Sequence, residues 1–309
     1  MHSTLRFIAV IVLSAFAFIA SAAQKNDEAL KVLAIGNSFS VCVLKEMPKI
    51  ATDLGCKLDF CSMYIGGCTL GKHAGNLNKT NASPYSITWS YVSCEQGSEP
   101  FKDALTEANG KYYSNIVKML KADKWNVVTI QQGSHQSWRP GSYEPHGTKL
   151  INAIKKHAPQ AKIYVQQTWS YTPWDNRLKK WGIDQNQMFD GIEKAYGEFA
   201  KSHGLDLILT GKAIQLFRKE LPVKYTENSN ADDVVGVNKF KKLESGKYWI
   251  SGDPFHLNKK GVYFQALVWT AKLFGADVTK CNYVPEHLKK APETVELMKK
   301  IACEVAKQK

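Results

Sequence analysis

Short apolar runs alternate along this chain with longer stretches in which apolar residues recur every three or four positions. The runs Lys31–Ile35, Lys57–Met63, Asn126–Ile130, Ala161–Thr168 and Asp206–Leu209 read as strands. The stretches Cys42–Leu54, Tyr112–Ala122, Gly147–His157, Gln185–Ser202 and Asn258–Leu273 read as helices. Such alternation predicts an α/β protein whose mostly parallel sheet of about five strands is covered on both faces. Tyr85–Ser93 alternates polar and apolar residues and reads as a small inserted hairpin. Glu220–Ile250 is polar and aperiodic, an excursion before the last long helix, and a final helix over Thr294–Ala306 closes the chain. In parallel sheets, sites form beyond the carboxyl ends of the strands, so chemistry is expected just after each apolar run.

The first residues stand apart from that pattern. One positive charge at Arg6, the apolar run Phe7–Ala20 and the small residues Ala20-Ser21-Ala22-Ala23 have the form of a signal peptide cut before Ala23 or Gln24. The run falls short of the roughly 20 residues a spanning helix needs. Residues 1–23 are therefore expected to direct export, to the periplasm, the cell surface or the medium, without stable membrane insertion. Residues 24–309 then form a single domain. The formal net charge of +13 is spread over scattered pairs such as Lys155-Lys156 and Lys259-Lys260, a distribution that marks solvated faces. No nucleic-acid motif accompanies it. The seven cysteines contain no CxxC pair and no zinc spacing, which predicts no metal site. An odd number leaves at least one thiol unpaired.

Ser38 follows the first strand in Gly36-Asn37-Ser38, where the chain turns toward a helix. A hydroxyl there stands at the carboxyl edge of the sheet, although a serine in that position also serves simply as a helix cap. Asp253 and His256 stand three residues apart before the last long helix. A carboxylate in that relation can hold one ring nitrogen while the other faces a nucleophile, and a plain turn with a solvent-facing imidazole fits the same spacing.

Taken together, the Gly-Asn-Ser turn, the glycine-rich turn Tyr64–Thr69, the polar loop Gln131–Gln136 and the Asp-x-x-His pair resemble the SGNH/GDSL hydrolase superfamily. The resemblance implies a flavodoxin-like three-layer α/β/α sandwich and ester hydrolysis without a cofactor. It assigns Ser38 as nucleophile, with Asp253 and His256 completing the triad. It also implies an oxyanion hole built from the amides of Ser38 and Gly67 and a third donor. The family's third block reads Gly-x-Asn-Asp; here it is Gln131-Gln132-Gly133-Ser134-His135-Gln136, which leaves His135 or Gln132 to replace the asparagine. This form resembles a little-characterised branch from gut-type bacteria, whose relatives with a Gln-Gly-Glu block include carbohydrate O-acetylesterases.

Two competing motifs fail. Gly66–His73 nearly spells a P-loop but ends in His73 where Ser or Thr must bind magnesium, and no GxSxG elbow occurs anywhere in the chain. Trp138 and Trp169 follow predicted strands and are candidate platforms for a sugar ring, with Arg139 and Asp175 as polar contacts. The expectation is an exported esterase acting on small acyl esters, acetyl above all, of a small molecule or glycan. The rivals are an inactive glycan-binding module of the same fold and a lipid esterase or thioesterase.

Overall fold

The computed structural model describes residues 28–77, 79, 84–93, 99–221, 233–242 and 248–308; of 237–242 and 248–252 it describes the backbone only. The segment 1–23 expected to be a signal peptide, Cys94 and most of the polar excursion lie outside them. The strands are β1 (Leu30–Gly36), β2 (Leu58–Tyr64), β3 (Tyr85–Ser90), β4 (Thr106–Ala108), β5 (Lys111–Ser114), β6 (Val127–Ile130), β7 (Lys162–Gln166), β8 (Asp206–Ile208), β9 (Val235–Lys242) and β10 (Tyr248–Leu257). The helices are α1 (Ser38–Val41), α2 (Met47–Asp53), α3 (Leu70–Asn76), α4 (Ile116–Ala122), α5 (His146–His157), α6 (Asn176–Trp181), α7 (Gln185–His203), α8 (Thr210–Glu220), α9 (Lys259–Phe274) and α10 (Pro292–Ala306).

The sheet has eight strands in the order β4-β5-β3-β2-β1-β6-β7-β8. Five of them, β2-β1-β6-β7-β8, are parallel. The expected count of about five holds for that part alone. Three short antiparallel strands extend the β2 edge. Val32–Gly36 of β1 and all of β6 are buried, and apart from Thr129 they are apolar or glycine, because helices cover both faces. The order reverses direction at β1, so crossovers of one hand place their helices on opposite faces before and after it. Accordingly α3, α4 and α5 pack together, while α2, α8 and α10 gather around α9, which is buried along most of its length.

Four boundaries differ from the sequence reading. Cys42–Leu54 is not one helix: α1 passes through a 3-10 turn before α2, whose first turn takes Pro48. The predicted helix Tyr112–Ala122 divides at Asn115, which caps α4 through Lys118 N, and Tyr112 and Tyr113 belong to β5. Tyr85–Ser93 supplies one strand, β3, paired between β2 and β5. The aperiodic excursion contains a two-stranded ribbon, β9 with β10.

Candidate active site

β1 ends at Gly36, where an added Cβ would lie 2.2 Å from Ser40 Oγ and would push that hydroxyl off the Asn37 carbonyl it bonds at 3.1 Å. Asn37 caps α1. Its Oδ1 accepts from Phe39 N at 2.9 Å and from Gln131 Nε2 at 2.5 Å, and its Nδ2 donates to the Cys68 carbonyl at 2.9 Å. One residue on, the Phe39 carbonyl accepts from Gln166 Nε2 and Gln265 Nε2, each at 2.7 Å. The turn carrying Ser38 is thus fastened to the β2–α3 loop, the ends of β6 and β7, and the middle of α9.

Asp253 and His256 enter from the β9–β10 ribbon, whose register breaks between Asp253 and Leu257. Asp253 Oδ1 accepts from Phe255 N at 3.1 Å and His256 N at 2.9 Å, and Oδ2 bonds to His256 Nδ1. His256 Nε2 then meets Ser38 Oγ at 2.7 Å. Partial burial raises the Asp253 pKa. The bond from His256, the two backbone amides and the imidazole charge outweigh burial and hold it below the usual carboxylate value.

The break in register is anchored on both sides. The Pro254 carbonyl accepts from Thr172 N and Oγ1, each at 3.0 Å, and the Phe255 carbonyl accepts from Trp169 Nε1 at 2.8 Å. Behind it, Asn258 donates to the Asp233 carbonyl at 2.8 Å, and the Asp233 carboxylate is fully buried against Arg218 at 3.1 Å.

Of the four groups expected to face an oxyanion, three keep free donors. Among the described residues the amides of Ser38 and Gly67 have no backbone partner. Gly67 has φ +59°, a conformation that favours glycine. The His135 side chain is exposed and makes no hydrogen bond; burial of part of its ring, then the charges of Arg177 and Arg139, lower its pKa. Gln132 is different. Its Nε2 donates to Ser142 O at 2.8 Å and Ser142 Oγ at 3.1 Å, and its Oε1 accepts from Leu70 N at 2.9 Å and Gly133 N at 2.8 Å. Both of its amide hydrogens are engaged, so Gln132 is a brace between loops and has no donor to offer. The loop it braces lies close to the glycine turn: a Cβ on Gly133 would sit 2.9 Å from Thr69 Cγ2 and 3.2 Å from the Cys68 carbonyl.

The aromatic candidates divide in the same way. Trp169 is 1% exposed and stacks on Phe39 at 4.2 Å, which leaves no face for a sugar and makes it a support for the Ser38 turn. Asp175 is 4% exposed and is spent on capping α6 and gripping Arg177. Trp138 is half-buried against Trp181, with Arg139 lying over its ring at 4.5 Å. The sequence reading missed Gln131, Gln166, Gln265, Phe255 and Arg177. For the first two a signal existed: Gln131-Gln132 and Gln166-Gln167 each end an apolar strand, where polar side chains are buried only if they have partners to find.

A hydroxyl, an imidazole and a carboxylate in series at the carboxyl edge of a parallel sheet define an α/β protein with the geometry of a Ser-His-Asp relay. The chain belongs to the family DUF4886, a domain of unknown function, which matches residues 31–304. It shares its fold with a DUF4886 family protein from Bacteroides uniformis, at 26% identity over 90% of this chain and 95% of that one, with a TM-score of 0.71. A family 3 carbohydrate esterase from Clostridium thermocellum is 15% identical over 79% and 94% of the two chains, with a TM-score of 0.41. A GDSL-like lipase from Bacteroides thetaiotaomicron is 12% identical over 78% and 87%, with a TM-score of 0.38. Likenesses at those two scores carry no weight for fold or chemistry. No curated protein matches the chain. Among the described residues no helix is long and apolar enough to cross a membrane.

Proposed function

We propose that this protein is an exported serine esterase of the SGNH type that removes small acyl groups, acetyl in the first place, from a carbohydrate. One observation carries the reading: Ser38 Oγ lies 2.7 Å from His256 Nε2 while Nδ1 of the same ring is held by Asp253. That arrangement leaves Nε2 unprotonated and aimed at the hydroxyl. His256 takes the Ser38 proton as the oxygen attacks the ester carbonyl. The tetrahedral oxyanion is received by the amides of Ser38 and Gly67 and by the His135 ring. Collapse expels the alcohol, which takes the proton from His256, and leaves an acyl group on Ser38. Water, deprotonated by the same imidazole, then releases the acid. Asp253 stays ionised throughout, in keeping with its lowered pKa.

A fluorophosphonate probe tests this directly. Wild-type protein should be labelled and Ser38→Ala should not; a folded wild-type protein that resists labelling would refute the proposal. Acetate release from a panel of acetylated glycans would then identify the alcohol half.

A further inference from the structure

Beside His256 runs a wall of aromatic rings with a guanidinium group packed toward either end. The Phe255 ring lies 4.2 Å from the imidazole, and Arg177 lies 4.1 Å above Phe255 and 4.2 Å above Tyr171. Tyr171 meets Trp181 at 5.9 Å, Trp181 meets Trp138 at 5.5 Å, and Arg139 covers Trp138 at 4.5 Å. The wall is tied to the loop of His135 through the Tyr171 hydroxyl, 2.8 Å from Ser134 Oγ.

The two arginines are held differently. Arg177 is clamped by Asp175 through Nε at 3.0 Å and Nη2 at 2.6 Å, with Nη1 left over. Arg139 has an exposed side chain, and among the described residues its guanidinium has neither an ion-pair partner nor a hydrogen bond. Stacking on Trp138 fixes the plane of the fork but uses none of its five N–H donors. Asp175 balances Arg177, and nothing in the wall balances Arg139. An oriented, uncompensated guanidinium on a wall that leads to His256 suits a planar anion, which it can bind through two parallel hydrogen bonds.

We propose that Arg139, with the free edge of Arg177 farther along the same wall, binds the carboxylate of an acidic sugar, so that the preferred substrate is an acyl ester carried on an anionic glycan. The proposal rests on the esterase reading and narrows its alcohol half. Support comes from the reach of both guanidinium charges to His135, whose pKa they lower after burial has done so first. Arg139 also stands four residues after His135 on the same loop, which turns through Arg139 N donating to the Gln136 carbonyl at 3.0 Å. The overall charge of +13 also draws anionic polymers toward the surface.

The test compares partially acetylated oligogalacturonides with the same oligosaccharides after their carboxyls have been reduced to alcohols. Wild-type protein should favour the acidic form by about tenfold in kcat/KM at low salt, the worth of one charge-assisted hydrogen bond. The preference should shrink as salt is raised. In Arg139→Gln the ratio should fall toward one, whereas a merely structural role for Arg139 would slow both substrates alike and leave the ratio intact. A wild-type ratio below about twofold, or a ratio unchanged in Arg139→Gln, overturns the proposal while leaving the esterase reading in place. Calorimetry on Ser38→Ala covers the converse case. Charge-dependent binding of unacetylated oligogalacturonide that Arg139→Gln abolishes supports the subsite even if wild-type protein releases no acetate, and absence of such binding overturns it.

Discussion

Keeping His73 uncharged makes this fold sensitive to acid, and the size of the effect follows from the surroundings of the ring. His73 lies on α3 with no exposed surface; Nδ1 meets the Tyr85 hydroxyl at 2.7 Å and the Cys68 thiol at 3.4 Å, and Nε2 has no partner among the described residues. Burial, helped by the charge of Lys72, pushes its pKa from 6.5 down to about 3. In the unfolded chain the imidazole takes up a proton below about pH 6.5, and in the folded chain only near pH 3. Between those values the unfolded state binds more protons, so stability is complete above the window and falls as pH drops through it. At about 1.4 kcal/mol per pH unit, the loss from this residue is about 2 kcal/mol at pH 5 and about 4 to 5 kcal/mol by pH 3. His73→Gln removes the titration and keeps an amide beside Tyr85. Urea unfolding of both proteins at pH 7.5 and pH 5.0 measures the difference, because histidines common to both cancel. Wild type should lose about 2 kcal/mol more than the variant over that interval. Equal losses would refute the linkage. The proposed site depends on the same neighbourhood, since Cys68 takes the Asn37 amide on its carbonyl.

Three further outcomes follow from the geometry. Arg218→Met strands the buried Asp233 carboxylate and should cost about 3 to 5 kcal/mol in chemical unfolding, most of it recovered when Asp233→Asn is added; no recovery would mean that the ion pair is not the source of the loss. His135→Ala should lower kcat on p-nitrophenyl acetate by about 10² to 10³ with stability preserved. Gln132→Ala should instead lower stability by about 1 to 3 kcal/mol through the orphaned amides of Leu70 and Gly133. The opposite pattern would exchange the two assignments.

The parallel core was legible because β1, β6 and β7 are covered on both faces, and burial on both faces writes a continuous apolar run. The antiparallel edge was not, because Thr106–Ala108 is wholly exposed and carries no pattern, and Tyr112-Tyr113 fits a helix face as readily as a strand. The pairing of Asp253 with His256 was readable, since three residues across a turn bring the two side chains together. The fate of Gln132 was not, because its hydrogen-bond partners lie at Leu70 and Ser142, one on a different loop and one ten residues away. Trp169 and Trp138 occupy similar places after strands, and only the packing of Phe39 against the first separates support from surface.

The break in the β9–β10 ribbon has a bearing on how activity could be switched. Asp253 holds His256 through contacts made within four residues, so the imidazole and the carboxylate that orients it travel as one cassette. The single contact to Ser38 is the only link in the relay that spans the molecule, 218 residues apart in sequence. Any motion of the ribbon relative to β1 would therefore part Ser38 from His256 while leaving the dyad assembled. In such a disengaged state the imidazole proton on Nδ1 would still give its carboxylate-bound NMR signal, and the serine would be silent toward phosphonates.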